Sequence, residues 1–151
     1  MQILMYLRKP MHLLAALVML CLSACSMQFI SDYDEESIAK MLDVAKQVDA
    51  FYLNLADVPT EARHYQASAA HYNQILVELN ALKLSQEVRQ LNELTVQQVD
   101  IAISLWQQDI SAHRESDGIS DFILNRHRQQ FHRIFRSMIL GERAKATSNN
   151  A

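Results

Sequence analysis

The chain of 151 residues is slightly acidic, with 14 Lys and Arg against 17 Asp and Glu and a formal net charge of −3. This balance argues against a nucleic-acid-binding protein, which would carry a marked excess of basic residues. The sequence contains only two glycines and two prolines, and a domain of many short strands would need more turn residues than that. The composition therefore predicts an all-α fold with long helices.

The first 24 residues have the pattern of an export signal. Arg8 and Lys9 precede an apolar stretch, residues 11–22, and small residues lead from it to a cysteine. A charged start, a short apolar run and small residues before a cleavage point are typical of a secretory signal peptide. The apolar run is shorter than the ~20 residues that a membrane-spanning helix requires. An uncleaved anchor, or a plain signal with an incidental cysteine, is the alternative interpretation.

The signal ends in Leu22-Ser23-Ala24-Cys25, which resembles the lipobox of bacterial lipoprotein precursors. The resemblance implies that Cys25 receives a diacylglyceryl group, that cleavage occurs before it, and that its new amine is often acylated, as with palmitate. Two or more acyl chains attach a protein stably to a membrane. In Gram-negative lipoproteins the residue after the cysteine directs sorting, and Ser26 implies the outer membrane, with the protein facing the periplasm.

The chain that remains after cleavage is long enough for one domain. We predict a lipidated cysteine and tether over residues 25–33, a helical bundle over residues 34–145 and a disordered tail over residues 146–151. Cys21 leaves with the signal and Cys25 carries lipid, so no disulfide is expected. The bundle must therefore be held by its core alone.

Apolar residues recur at three- and four-residue steps in the first half of the bundle, as in amphipathic helices. The first predicted helix begins at Asp32 and Glu35, which have a capping-box spacing, and ends at the segment 57–60, which contains Pro59. Its apolar stripe is Ile38, Leu42, Ala45, Val48, Tyr52 and Leu55. The stripe of the second helix is Tyr65, Ala69, Tyr72, Leu76, Leu79 and Leu82.

Two further helices follow. The second helix is predicted to end near residues 83–85, where the stripe changes phase, and one long helix through this point is the alternative. The segment Ser116-Asp117-Gly118 separates the third and fourth helices, and the fourth is predicted to end near residues 141–145. The third stripe is Val88, Leu91, Val99, Ala102, Trp106 and Ile110, and the fourth is Ile119, Ile123, Phe131, Ile134, Phe135 and Met138.

Four helices of this length joined by short loops predict an up-down-up-down four-helix bundle. Trp106 and Leu91 are expected to be buried in it. The segment Phe29-Ile30-Ser31-Asp32-Tyr33-Asp34, which leads into the first helix, is similar to that of small helical bacterial lipoproteins with no assigned activity. That resemblance implies no known site.

Four residues at one end of the predicted bundle are candidate metal ligands. Glu61 and His64 form a single Glu-x-x-His motif, His113 lies near the end of the third helix, and His127 lies on the fourth stripe. A zinc or iron site needs three or four converging ligands, and a di-iron bundle needs two such motifs and further carboxylates. The alternative is that these are surface histidines and one satisfied core histidine.

Charge is distributed unevenly along the chain. Residues 31–61 hold eight acids and two lysines, whereas residues 122–145 hold six basic residues and one acid. One interpretation is that the two segments neutralise each other on neighbouring helices. The other is that Arg136, Arg143 and Lys145 form a basic face toward anionic lipid headgroups or an acidic partner.

The sequence contains no Gly-x-Ser-x-Gly motif, no phosphate-binding glycine loop and no Cys-x-x-Cys-His haem motif, so no catalytic residue and no cofactor besides the covalent lipid is predicted. We therefore expect a membrane-anchored, non-enzymatic helical bundle that binds or positions another cell-envelope component, with an unidentified protein partner. The alternative function is that of a periplasmic metal- or haem-binding bundle that uses the histidine-rich end.

Overall fold

The computed structural model describes residues 30–148, so the signal segment, Cys25 and residues 149–151 lie outside the described part of the chain. Four helices fill that part, with a short 3₁₀ turn between the first two and no strand. They are α1 (Glu35–Ala56), α2 (Tyr65–Glu87), α3 (Glu93–Ser116) and α4 (Asp121–Ser148), and the turn is Thr60–Ala62. The predicted all-α four-helix bundle is confirmed.

Neighbouring helices run in opposite directions. Asp49 in the second half of α1 pairs with Arg128 near the start of α4, whereas Asp34, just before α1, meets Glu142 near the end of α4. The most extensive packing is between α1 and α4 and between α2 and α3. The start of α1 and the end of α4 therefore lie at one end of the bundle, and the loops after α1 and α3 lie at the other.

The core contains an aromatic cluster in the half of the bundle that is nearer to the loops after α1 and α3. Trp106 is fully buried, as predicted, and its ring lies 5.2 Å from those of Phe51 and Tyr72 and 5.5 Å from that of Phe131. Its indole N–H donates to the backbone carbonyl of Tyr72 at 3.0 Å. Edge-to-face contacts of this kind add to the stabilisation from burial. Aliphatic residues of all four helices extend the core on both sides of the cluster.

The N-cap of α1 lies two residues later in the chain than predicted. Asp34, not Asp32, is the N-cap, because its carboxylate accepts hydrogen bonds from the backbone N–H groups of Glu36 and Ser37. The hydroxyl of Ser37 also donates to this carboxylate and is the main cause that lowers the pKa of Asp34 below its ordinary value of 3.8. An ionised N-cap stabilises the start of a helix.

At the opposite end, one buried arginine joins two loops. The guanidinium of Arg63 donates to the backbone carbonyls of Val58 at 2.8 Å, Ala56 at 3.1 Å and Ile119 at 3.1 Å. It also forms an ion pair with Asp121 at 2.7 Å. Arg63 thereby satisfies carbonyls that the end of α1 leaves without helical partners, and it connects the α1–α2 loop to the start of α4.

The boundary between the second and third helices was predicted wrongly. The helix α2 continues to Glu87, and the turn comprises residues 88–92, in which Leu91 has a left-handed backbone with φ of 57°. Val88 and Leu91 therefore lie outside α3, and Leu91 is 43% exposed rather than buried. The physical reason is Asn92, whose side-chain amide donates to the backbone carbonyl of Gln86 and fixes the turn after it.

The end of the chain also differs from the prediction. The helix α4 continues to Ser148, so residues 146–148 are helical rather than part of a disordered tail. Lys145 is buried and Ala146 is half-buried, which holds the last turn against the bundle.

Replacing Leu91 by glycine is expected to raise the free energy of unfolding by about 0.5–1 kcal/mol. A left-handed backbone costs an ordinary residue about 1–2 kcal/mol that glycine avoids. The greater freedom of glycine in the unfolded chain and the loss of the partly buried leucine side chain offset part of the gain. Urea-induced unfolding followed by the fluorescence of Trp106 measures the change.

Asp117 supplies the matched control, since it is also left-handed, with φ of 46°. Its carboxylate accepts from the backbone N–H of Tyr65 at 2.9 Å and lies 3.1 Å from Nδ1 of His64. Asp117→Gly should give no gain, because it loses these contacts. Equal stabilisation by both substitutions, or destabilisation by Leu91→Gly, would contradict this account of the turn.

Candidate functional site

Of the four candidate metal ligands, Glu61 and His64 lie at the surface. Glu61 belongs to the 3₁₀ turn and is exposed. The side chain of His64 is 60% exposed, and its Nδ1 lies 3.1 Å from a carboxylate oxygen of Asp117. The hydrogen bond from the backbone N–H of Tyr65 is the main cause that lowers the pKa of Asp117 below its ordinary value. The contact with His64 lowers this pKa further.

His113 is buried, and both of its ring nitrogens have partners. Nε2 lies 2.8 Å from the backbone carbonyl of Arg63, and Nδ1 lies 3.1 Å from the hydroxyl of Tyr72. A carbonyl oxygen only accepts, so Nε2 carries the proton, and in a neutral ring Nδ1 accepts from Tyr72. Because the lone pair of Nδ1 is then used, His113 serves as a link between α3 and the start of α2 rather than as an available ligand.

His127, on the apolar stripe of α4, lies against Asp109, a buried carboxylate on α3 that the sequence analysis did not identify. Nδ1 of His127 lies 2.9 Å from one oxygen of Asp109, and the hydroxyl of Tyr52 donates to the other. The His127 contact is close but not aligned as a hydrogen bond, so Nδ1 of His127 has no hydrogen-bond partner among the described residues. Burial, and then the charge of Asp109, raise the pKa of Tyr52 well above its ordinary value. The signal for Asp109 was its position three residues after Trp106, on the stripe of α3.

The structure does not bring these four residues together. Within residues 30–148 no group of three or more His, Cys, Asp or Glu side chains has an arrangement that could hold a metal ion. Glu61 and His64 face solvent, while His113 and His127 take part in separate buried contacts on α3 and α4. The ligand set proposed from the Glu-x-x-His motif therefore has no support in the geometry.

The three predicted basic residues separate into one buried and two exposed side chains. Arg136 and Arg143 are exposed, as a membrane-facing surface requires. Lys145 is only 8% exposed, so its prediction as a surface residue is wrong. It falls on the inward side of α4, three residues after Glu142, whose carboxylate lies 2.6 Å from its ammonium group.

The ammonium group of Lys145 lies within a polar network at the end of the bundle that carries the N-terminal segment. It donates to the hydroxyl of Ser31 and to the side-chain carbonyl of Asn92, both at 2.7 Å. Ser31 in turn donates its backbone N–H to the carbonyl of Leu91 at 2.9 Å and its hydroxyl to Asn92 at 2.9 Å. The segment before α1 is thus fixed to the α2–α3 turn and to α4. We call this group the tether-end network; its members are Ser31, Asp34, Ser37, Gln86, Arg89, Asn92, Glu142 and Lys145.

Glu142 is the anion of the tether-end network. One oxygen accepts from the guanidinium of Arg89 at 2.8 Å and from the backbone N–H of Asp34 at 2.9 Å, and the other oxygen accepts from Lys145. Burial by itself disfavours the charged form, but the hydrogen bonds from Arg89 and Lys145 outweigh it and lower the pKa of Glu142 below its ordinary value of 4.5. Glu142 is therefore ionised at neutral pH and paired with Arg89 and Lys145.

An open groove runs between α1 and α4 on the outside of the bundle, with a volume of about 600 Å³. Its floor is apolar, and Leu42, which was predicted to be a core residue, lines it with 41% of its surface exposed. The rim is basic. The floor residues are Leu42, Ala45, Val48, Phe131, Phe135, Ile139 and Leu140, and the rim residues are Asp49, Arg128, His132, Arg136 and Arg143.

Within the described residues, a single ion pair joins the acidic helix α1 to the basic helix α4. Arg128 contacts Asp49 through two nitrogens, at 2.6 Å and 3.3 Å. No other ion pair joins α1 directly to α4 within residues 30–148, and Arg136 and Arg143 make none there. Mutual neutralisation of α1 and α4 therefore explains Arg128 but leaves Arg136 and Arg143 without acidic partners among these residues.

None of the helices in residues 30–148 is both apolar and long enough to cross a bilayer. Comparison with protein-family profiles, with curated proteins and with solved structures gives no match to the chain.

Replacing Glu142 by glutamine is expected to lower the free energy of unfolding at pH 7 by about 3 kcal/mol, because it leaves the buried ammonium group of Lys145 and the half-buried guanidinium of Arg89 without their anion. The lowered pKa means that Glu142 stabilises the fold above its ordinary value of 4.5 and that this stabilisation is lost as the pH falls through the folded-state value. Glu142→Gln should therefore flatten the acid side of the stability profile between about pH 5 and pH 3.

Urea unfolding at a series of pH values tests this expectation. Glu61→Gln is the control, because it makes the same chemical change at an exposed position in the 3₁₀ turn. If Glu142→Gln keeps the acid dependence of the unmodified protein, or costs no more than Glu61→Gln, then the tether-end network does not stabilise the fold through its ionised carboxylate.

Proposed function

We propose that this protein is a bacterial lipoprotein, anchored through lipid on Cys25 in the outer membrane and facing the periplasm, whose helical bundle binds or positions another cell-envelope component without catalysing a reaction. The observation that carries the proposal is the short distance in sequence between the lipobox and the tether-end network. Only six residue steps separate Cys25 from Ser31.

That distance limits how far the bundle can stand from the site of lipidation. An extended chain spans at most ~3.6 Å per residue, so six steps reach at most about 22 Å. Ser31 must lie within that reach of Cys25, and the hydrogen bonds of Ser31 to Leu91, Asn92 and Lys145 hold this end of the bundle beside it. With lipid on Cys25, the bundle would stand on the membrane by its tether end, and its opposite end would lie ~33 Å farther away, the length of 22-residue α1.

The use of the buried polar groups supports a binding role rather than an enzymatic one. Arg63 caps carbonyls, His113 joins α3 to the start of α2, and Glu142 neutralises Lys145 and Arg89. The contacts of Arg63, of His113 and of Glu142 with Arg89 each connect one segment of the bundle with another. Ser26, directly after the lipobox cysteine, supports the outer membrane as the destination by its resemblance to the sorting signal of Gram-negative lipoproteins.

Metabolic labelling with an alkyne analogue of palmitate tests the anchor. Cys25→Ala should abolish the label and leave a precursor of unprocessed size, because no other acceptor follows the lipobox. Cys21→Ala is the matched control, since it removes the other cysteine, four residues earlier in the signal, and should leave both labelling and processing intact. Normal labelling of the Cys25→Ala chain would reject the proposal.

A further inference from the structure

We infer that the groove between α1 and α4 binds an acyl chain of an anionic phospholipid, with Arg136 and Arg143 holding the phosphate of its headgroup. The inference rests on the proposed function, because it names the class of envelope component that the bundle binds. Three independent features of the groove carry it: its apolar floor, the two arginines without acidic partners and its position relative to the tether.

The floor of the groove has the dimensions of a site for a long hydrocarbon chain. The lining residues of α4 extend from Arg128 to Arg143, which corresponds to about 22 Å along the helix axis. A volume of about 600 Å³ lies within the range of small-molecule sites, roughly 300–1,000 Å³. Leu42 and Leu140 stay 41% and 47% exposed in this groove, so an occupant would remove apolar surface of both from water.

The charges on the rim of the groove favour a negatively charged ligand. Asp49 is the one acidic residue that lines the groove, and it is already paired with Arg128. Arg136 and Arg143 are seven residues apart, which places them on the same side of α4 about 10 Å from each other. A guanidinium group donates two parallel hydrogen bonds to a phosphate, so either arginine can hold a headgroup while the chain lies on the floor.

The groove is within reach of the membrane that the tether implies. Arg143 follows Glu142, a member of the tether-end network, so this end of the groove lies beside the end of the bundle that the tether holds close to Cys25. A lipid from the same leaflet could enter the groove there without leaving the membrane surface completely. Proximity to the bilayer favours a lipid over an acidic protein segment as the occupant.

A second copy of the chain fits the groove poorly. Pairing of two identical α1–α4 faces around a two-fold axis would bring Arg136 and Arg143 of one copy close to the same residues of the other. Like charges at an interface oppose association. The charge of the rim therefore disfavours a self-associating surface and favours an anionic ligand.

Photo-cross-linking in neutral detergent micelles tests the site directly. The full-length protein, purified in dodecyl maltoside, is irradiated with phosphatidylglycerol that carries a diazirine in one acyl chain, and in parallel with phosphatidylcholine that carries the same chain. Mass spectrometry then locates the label. We expect the anionic probe to label residues of α1 between 42 and 49 and residues of α4 between 128 and 143, with phosphatidylcholine labelling them about tenfold less.

The variant Arg136→Glu with Arg143→Glu should reduce labelling by phosphatidylglycerol about tenfold. Arg126→Glu with Arg133→Glu is the matched control: these arginines are also exposed, also seven residues apart on α4, and do not line the groove. The control should label like the unmodified protein. Fluorescence of the buried Trp106 verifies that both variants are folded.

Three results would overturn the inference. They are equal labelling by the two headgroups, label spread over the surface outside the groove, and cross-links from the groove to a second copy of the chain. Because the probe is presented in micelles, labelling does not depend on the lipid anchor. Palmitate labelling that persists in the Cys25→Ala chain would therefore reject the anchor alone, whereas unselective photolabelling would reject the groove site alone.

Discussion

The buried ion pair between Glu142 and Lys145 is the contact on which the arrangement of this bundle depends. Around it meet the segment before α1, the end of α2, the start of α3 and the end of α4. A buried ion pair contributes little net stability over apolar residues, but removing one partner is costly. The pair therefore acts mainly to specify how four helix ends come together, which a core of interchangeable aliphatic residues would specify less well.

The rest of the bundle is organised in layers along its axis. The aromatic cluster around Trp106 contributes the largest buried side chains of the interior, while polar residues close both ends. At the far end Arg63 satisfies the carbonyls of two loops, and His113 connects α3 to one of them. Buried polar groups are tolerated at these positions because each has a hydrogen-bonding partner.

Hydrophobic periodicity was sufficient to predict the four helices, their order and the burial of Trp106, because a buried helix face recurs every three or four residues. It was insufficient where polar residues are buried. Lys145 and Asp109 lie at stripe spacing, but a search for apolar residues does not identify them. Their partners include residues distant in sequence: Ser31 and Asn92 for Lys145, and Tyr52 for Asp109.

The turn after α2 was misplaced for a related reason, since Asn92 and the left-handed Leu91 define it without glycine or proline. The candidate site was predicted in part. Arg136 and Arg143 were identified from charge, but Leu42 was assigned to the core, because the sequence does not show how far apart α1 and α4 lie at the surface. The metal ligands were proposed from a single Glu-x-x-His motif, and motif spacing carries no information on whether distant residues converge.

The attachment of Ser31 has a mechanical consequence. A force applied to the N-terminal segment reaches the bundle first at Ser31, whose hydrogen bonds lead to the α2–α3 turn and to α4, while the chain itself continues into α1. The load is thereby shared among several helices and acts along their axes, so that they resist it by shear. Without this junction the same force would peel α1 from its neighbours one turn at a time, a mode of failure that requires far less tension. With the lipid anchor that we propose at Cys25, the tether-end network would be the place at which that force enters the bundle.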